Sequence, residues 1–363
     1  MPQYLEHRRR ISIPDDECIN DDQLNEEGGI VIQQTKQTIP DRNLALELVR
    51  VTEAAALASG RWMGRGDKIG VDKAAVDAMR LVLNTIEMDG VIVIGEGEKD
   101  EAPMLFNGES LGTGAPPQVD IAVDPVEGTS LLALGQPNAL AVVALAERGT
   151  MFSPGPIVYM DKIAVGPEAR GAIDINAPIA VNIRNVARAR GKDIDDLTVV
   201  ILDRERHIKL IQDVRHAGAR IRLLPHGDVA GGLMTTIEST GIDLLVGIGG
   251  SPEAVLTACA LKCVGGEIQT KLWPRNENEK RVALEEGYDL DRIYRTDDLC
   301  SGENIFFAAT GITDGELLKG VRYFGGGAAT HTLVMRSRSG TSRKIEATHR
   351  WDKLMQFSLI QFD

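Results

Sequence analysis

The residues able to do chemistry in this sequence lie in three short acidic stretches, each directly after an apolar run. Gly95-Glu96-Gly97-Glu98-Lys99-Asp100-Glu101 follows Val91-Ile92-Val93-Ile94 and carries four acids within six residues, flexed by two glycines. Asp124-Pro125-Val126-Glu127-Gly128-Thr129-Ser130 follows Asp120-Ile121-Ala122-Val123. Gly249-Gly250-Ser251-Pro252-Glu253 follows Leu244-Leu245-Val246-Gly247-Ile248 and reads as a helix start, with Ser251 as cap and proline in the first turn. Hard divalent cations such as Mg²⁺ or Mn²⁺ want oxygen ligands, and carboxylates on rigid strand ends supply them. Two such ions roughly 3.5–4 Å apart clamp the attacking and leaving oxygens of a phosphoryl transfer. A helix starting at Gly128-Thr129 adds backbone N–H donors for a phosphate. The Thr129 hydroxyl stands beside that point, able to orient an attacking water. The pattern suits hydrolysis of a phosphate ester.

Each stretch has a plainer reading. A Gly-Glu-Gly-Glu run is usually a solvated turn, Asp-Pro a turn starter, and an acid in a first helical turn is explained by the helix dipole. Their coincidence at three strand ends favours a metal site. Arg204-Glu205-Arg206-His207 follows another apolar run and offers two cations for a second phosphate; on its own it reads equally as a self-compensating solvated cluster. His226-Gly227-Asp228 follows the next run, where Asp228 also fits the N-cap of a helix.

These stretches need strands to present them. In open α/β sheets ligands bind beyond the carboxyl ends of strands, and the apolar runs at 91–94, 120–123, 198–202, 221–224 and 244–248 are short and continuous, as buried strands are. Helical spacing between the last three, at 207–216 and 229–237, predicts a parallel sheet. The runs at 140–146 and 157–165 have only a turn between them, which predicts antiparallel neighbours. An earlier helix, capped by Asp41, carries Leu44, Leu48, Val51 and Ala55 on one face; a second carries Val76, Met79, Leu83 and Ile86. The fold class is α/β with mixed sheets and a parallel-rich C-terminal half. The expected organisation is a flexible N-terminal arm at 1–39, a metal-binding α/β domain at 40–185 and a substrate-binding α/β domain at 186–363. Seven acids fall between Asp15 and Glu27 without helical or alternating period, which marks the arm.

The net charge of −13 repels nucleic acid and anionic membrane, so neither is an expected partner. The run at 139–146 is too short to span a bilayer. Cys18, Cys259, Cys263 and Cys300 are too scattered for a disulfide framework. Cys259 and Cys263, one helical turn apart, read as core in a reducing cytoplasm.

Asp124-Pro125-Val126-Glu127-Gly128-Thr129 matches the Asp-Pro-x-[Asp/Glu]-Gly-Thr signature of the lithium-sensitive phosphatase superfamily. With Trp62-Met63-Gly64-Arg65-Gly66-Asp67-Lys68, the block from Gly95 to Leu105 and Gly247-Ile248-Gly249-Gly250-Ser251-Pro252-Glu253, the chain resembles the class II fructose-1,6-bisphosphatases of bacteria from about residue 40 onward. The resemblance implies a layered αβαβα sandwich, assembly as a homo-oligomer (dimer or tetramer), and removal of the 1-phosphate of fructose 1,6-bisphosphate in gluconeogenesis, dependent on two or more Mg²⁺ or Mn²⁺ ions. It implies that Asp72 and Glu96 hold one metal and Asp124, Glu127 and Glu253 another. Thr129 then positions the water, helped by Asp100 and Lys68. Glu127, Gly128, Thr129, Tyr159, Arg204, Glu205, Arg206, His226, Gly227, Asp228 and Gly250 line the substrate site, with the 6-phosphate near Tyr159 and the arginines. Without the resemblance Asp72 passes for part of a helix cap. The chain departs from the family's usual Lys/Arg-Pro-Arg at 204–206 and Asp-Gly-Asp at 226–228, which leaves the sugar contact at 226 open. Some relatives also take sedoheptulose 1,7-bisphosphate. The rivals are an inositol- or nucleotide-phosphate phosphatase of the same superfamily, which needs no clamp for a distal phosphate, and a non-catalytic sugar-phosphate sensor, which has no need to retain Thr129 and every carboxylate.

Overall fold

The apolar runs become strands of two mixed β-sheets in the computed structural model, which describes residues 43–97 and 104–356. The first sheet holds β1 (Asp89–Ile94), β2 (Ser110–Leu111), β3 (Gln118–Glu127), β4 (Leu140–Glu147), β11 (Phe306–Gly311), β12 (Arg322–Phe324), β13 (Gly327–Arg336) and β14 (Thr341–Arg350). The second holds β5 (Tyr159–Val165), β6 (Thr198–Leu202), β7 (Arg220–Leu224), β8 (Leu244–Gly250), β9 (Glu267–Leu272) and β10 (Tyr294–Arg295). β1 runs parallel to β3, and β6 runs parallel to both β7 and β8. The parallel pattern read from the sequence is therefore present over β6 to β8, while β8–β5, β5–β9 and β9–β10 are antiparallel.

Side-chain alternation along the strands sorts the helices into layers. Ile121 and Val123 of β3 share a core with α1 (Ala45–Ser59) and α2 (Lys68–Leu83) on one face of the first sheet. Ala122, on the other face, joins Val142 of β4 and Val200 of β6 around α6 (Asp228–Met234) and α7 (Ser251–Val264). Val199 and Ile201 of β6 face away from that layer, onto α4 (Ile179–Arg190) and α5 (Ile208–His216). The order is thus helix, sheet, helix, sheet, helix, the expected αβαβα sandwich. α7 lies between two sheets and is apolar over most of its surface, with Glu253 in its first turn and Lys262 in its last; Cys259 and Cys263 are buried in it, as their spacing predicted. Among the described residues no helix is long and apolar enough to cross a membrane.

Several sequence expectations change in detail. β4 and β5 are not neighbours: β4 pairs with β3 and β11, β5 with β8 and β9. After β4 the chain bridges Met151 to Cys300, then passes Pro154 and Pro156, which lack the N–H a ladder needs, and changes sheets. The second helix starts earlier than its apolar face suggested, because Asp67 caps it by accepting from Gly70 N–H at 2.9 Å. Lys68 and Asp72 therefore lie inside a helix. Ser251 is not the cap of α7; Gly250 is, and the Ser251 hydroxyl donates to Ile157 O at 2.7 Å. The arm at 1–39 and Asp41 lie outside the described residues.

The small side chains of α7 let two sheets approach one helix. Ala258 is fully buried there, so Ala258→Leu should destabilise the protein by about 1–3 kcal/mol through overpacking. Urea unfolding measures this; an unchanged midpoint would mean that the central layer has slack.

Candidate metal centre

β3 carries two of the three central acids because it does not end at Val123. Its pairing with β4 continues to Glu127 with a register shift between Asp124 and Glu127. Pro125 has no N–H to offer, and Asp124 Oδ1 accepts from Val126 N–H at 3.1 Å, closing the bulge locally. On the parallel neighbour β1, Glu96 follows directly, and its N–H donates to Leu105 O at 2.9 Å. A side chain at Gly95 would collide with that same carbonyl, so a glycine must stand there. Glu253 projects from the first turn of α7, and a side chain at Gly250 would occupy the place of its carboxylate.

The result is a cluster of acids. Carboxylate oxygens of Asp124, Glu127 and Glu253 all lie within 4.8 Å of one another. With Glu96, Thr129 and His226 they line a cavity of about 380 Å³. Burial, then the charge of Glu253 and Asp228, pushes Glu127 up to about 8, although it accepts a hydrogen bond from Val229 N–H at 3.0 Å. Asp124 is raised well above the usual carboxylate range, by burial first and then by Glu127, Glu96 and Glu253. Glu253 is raised by burial and Asp228, with Lys162 pulling the other way. Glu96 is pushed up to about 7 by burial and by Asp72. Burial raises Asp72 as well, opposed by a hydrogen bond from Thr129 and by the charge of Lys68. These are oxygen donors that repel one another, and among the described residues the protein cations that pull against the rise are Lys162 and Lys68. Glu253 Oε2 is buried with no hydrogen-bond partner among the described residues. A hard divalent cation fits this donor set and satisfies that orphan oxygen.

Of the remaining sequence candidates, Gly128, Thr129, His226 and Gly227 line the same cavity. The Thr129 hydroxyl lies 2.9 Å from Asp72 Oδ1 and 3.2 Å from Val126 O. It is no helix cap: α3 (Thr129–Ala133) is preceded by Gly128, whose φ of 88° favours glycine, and no side chain caps it. Lys68 is exposed at the start of α2. Asp100, with Glu98, Lys99 and Glu101, lies outside the described residues. Tyr159 opens β5 opposite Gly250. The Arg206 guanidinium stands 5.0 Å from the centre of the Tyr159 ring, and its Nε and Nη2 donate to Ile248 O at 3.2 and 2.8 Å. Arg204 Nη2 donates to His226 Nδ1 at 3.0 Å; a guanidinium can only donate, so Nδ1 is the acceptor. Burial and the charges of Arg204 and Lys68 hold the His226 imidazole below its ordinary range. Glu205 is exposed in the turn between the arginines. Gly227 adopts φ 87° and serves as the N-cap of α6, so Asp228 is its first residue rather than its cap. Asp228 is buried and takes a 2.6 Å hydrogen bond from Lys162 Nζ.

The roles of two residues escaped the sequence reading. Lys162 sits beside Asp161 in β5, and that pair looks like ordinary strand-edge charge; only its inward register, flanked by buried Met160 and apolar Ile163, hints otherwise. His207 accepts from Ile248 N–H at 2.7 Å through Nε2 and bonds Leu202 O at 2.7 Å through Nδ1, tying the ends of β6 and β8 together. No spacing rule points to it.

Comparisons with known proteins give the chain's relatives. A family model described as bacterial fructose-1,6-bisphosphatase, glpX-encoded, matches residues 42–349. The chain is 46% identical over 325 residues to fructose-1,6-bisphosphatase 1 class 2 of Escherichia coli (strain K12), covering 86% of this chain and 96% of that protein. The fructose-1,6-bisphosphatase class 2 of Shigella flexneri matches at the same 46% over the same shares.

The raised carboxylates make stability depend on pH. An acid whose folded pKa lies above its unfolded value of 4.5 stabilises the fold at low pH and loses that contribution as pH rises through the folded value. The loss runs upward from about pH 4.5 and is complete for Glu96 just above 7 and for Glu127 just above 8, so the stretch from pH 7 to 8.5 belongs mainly to Glu127. The depressed histidines His207, His226 and His349 act below about pH 6.5 and do not mask it. Chelator-treated protein should therefore weaken across that window, with Glu127 alone contributing about 1 kcal/mol. Glu127→Gln should remove that share. Denaturant titrations at pH 7 and 8.5 decide it, and a flat response would mean that the carboxylates are not crowded as described.

Proposed function

This chain belongs to the bacterial fructose-1,6-bisphosphatase family, and we propose that its carboxylate-lined cavity is where the 1-phosphate of fructose 1,6-bisphosphate is cleaved. The enzyme is a phosphatase, a hydrolase of the fructose 1,6-bisphosphate ester. The observation that carries the assignment of the site is the meeting of Asp124, Glu127 and Glu253 within 4.8 Å, with one buried oxygen unpartnered among the described residues. Asp72 and Glu96 would hold one divalent cation, Mg²⁺ or Mn²⁺, and Asp124, Glu127 and Glu253 another. Such ions, when bound, neutralise phosphoryl oxygens and make water a better nucleophile.

The protein's own groups do the rest. The Thr129 hydroxyl donates to Asp72, 2.9 Å away, which leaves its oxygen lone pairs to accept from a water and aim it at phosphorus. Lys68, whose charge acts on Asp72, opposes the upward pull of burial on that acceptor. Asp100 is assigned the water's proton on the resemblance alone. At the far end Arg204, Arg206 and Tyr159 hold the 6-phosphate, and the arginines are already aimed by their bonds to His226 and Ile248 O. Gly250 and Gly227 let backbone approach the sugar. The three described cysteines are unpaired, which favours a reducing cytoplasm, and assembly as a homo-oligomer follows from the resemblance.

Phosphate release from fructose 1,6-bisphosphate should stop in excess EDTA and return with Mg²⁺ or Mn²⁺; full turnover in the chelator would remove the metal from the account.

Thr129→Val keeps shape and β-branching, so the fold should survive. kcat should fall roughly 10²–10⁴-fold with KM little changed, the signature of a lost transition-state contact. Thr129→Ser should keep much of the rate. A Val variant with near-native kcat would show that Thr129 only braces Asp72.

A further inference from the structure

Lysine is almost never fully buried unless it is paired and needed where it lies. Lys162 has 1% of its side chain exposed, in the middle of β5. Its Nζ reaches across β8 to Asp228 Oδ2 at 2.6 Å, and Asp228 is itself 7% exposed. The crossing is possible because Gly249 of β8 has no side chain: a Cβ there would collide with the Asp228 carboxylate and stand 3.0 Å from Lys162 Nζ. Asp228 is the first residue of α6, and the next amide, Val229 N–H, donates to Glu127 Oε1 at 3.0 Å. One connected line of contacts therefore runs from the second sheet, through the start of α6, to a carboxylate on the first sheet.

We propose that Lys162 is a positioning residue for the metal centre: by gripping Asp228 it seats the start of α6, so that the Val229 amide fixes the Glu127 carboxylate in the orientation a divalent cation requires. Groups that orient a metal's ligands typically change its affinity 10–100-fold when removed. Lys162 Nζ is bonded to Asp228 rather than to the cluster, so its positioning effect passes through Asp228 and Val229, while its charge also bears on Glu253. The inference rests on the proposed metal site and goes beyond it in assigning a function to a buried cation that the phosphatase chemistry does not otherwise use.

The test is Mn²⁺ binding to the full chain, followed by calorimetry and independent of turnover. Lys162→Met keeps the length of the side chain and removes its grip, but leaves a lone buried carboxylate that can itself unseat the fold. The double variant Lys162→Met/Asp228→Asn removes both charges and preserves the net charge around the cluster. Both are expected to bind Mn²⁺ about 10–100-fold more weakly than the wild type, with far-UV circular dichroism unchanged. An unchanged Kd in the double variant, even with a lower Tm, would make the pair purely structural and overturn the proposal. Tighter binding would mean that Lys162 acts only as a repelling charge, and would overturn it too. The wild type separates the two levels: no Mn²⁺ binding there removes the metal site itself, whereas equal binding by wild type and variants removes only the assignment of Lys162.

Discussion

Everything in this structure answers to the repulsion among buried carboxylates at the junction of the two sheets. Two unit charges about 4 Å apart repel by about 4 kcal/mol at an effective dielectric of about 20. Asp124, Glu127 and Glu253 meet within 4.8 Å, with Glu96 and Asp72 adjoining. Such a group cannot be fully ionised on its own. It must hold protons, as the upward displacement of Glu96, Asp124 and Glu127 indicates, or a cation. The buried Lys162 is committed to Asp228. The fold therefore stores an unsatisfied demand for positive charge, and the substrate's anionic phosphate can approach only once that demand is met.

The rigidity needed to hold that demand comes from layers rather than from any single bond. β1 and β3 run parallel, so Glu96 and the Asp124–Glu127 bulge emerge on the same edge. α7, clamped by apolar contacts from both sheets, delivers Glu253 from the opposite side. Glycines at 95 and 250 stand where side chains would fill the site. Arg204 and Arg206 are anchored on His226 and on the Ile248 backbone, which would lower the entropy lost in gripping the distal phosphate as proposed.

The sequence made the strands and the acidic stretches legible because a continuous apolar run and the acid that follows it are both local. β6 begins and ends as its apolar run does, and β8 extends that run by two residues. What was not legible was pairing. The runs that became β4 and β5 are close in sequence yet lie in different sheets, since adjacency along the chain says nothing about which edge is free. Asp72 was likewise invisible to spacing alone: it meets Thr129 across 57 residues of chain, a contact made only by packing α2 against α3. Lys162 hid for the same reason, because burial of a lysine is decided by the partner waiting for it. Gly250 rather than Ser251 caps α7 because the serine hydroxyl finds the Ile157 carbonyl instead.

The central claim is that Asp124, Glu127 and Glu253 surround a divalent cation. Diffraction from crystals grown with Mn²⁺, recorded at the manganese absorption edge, addresses it directly. The account predicts an anomalous peak within bonding distance of oxygens from all three side chains. Saturating Mn²⁺ with no peak among them, or a peak only elsewhere on the molecule, would contradict it.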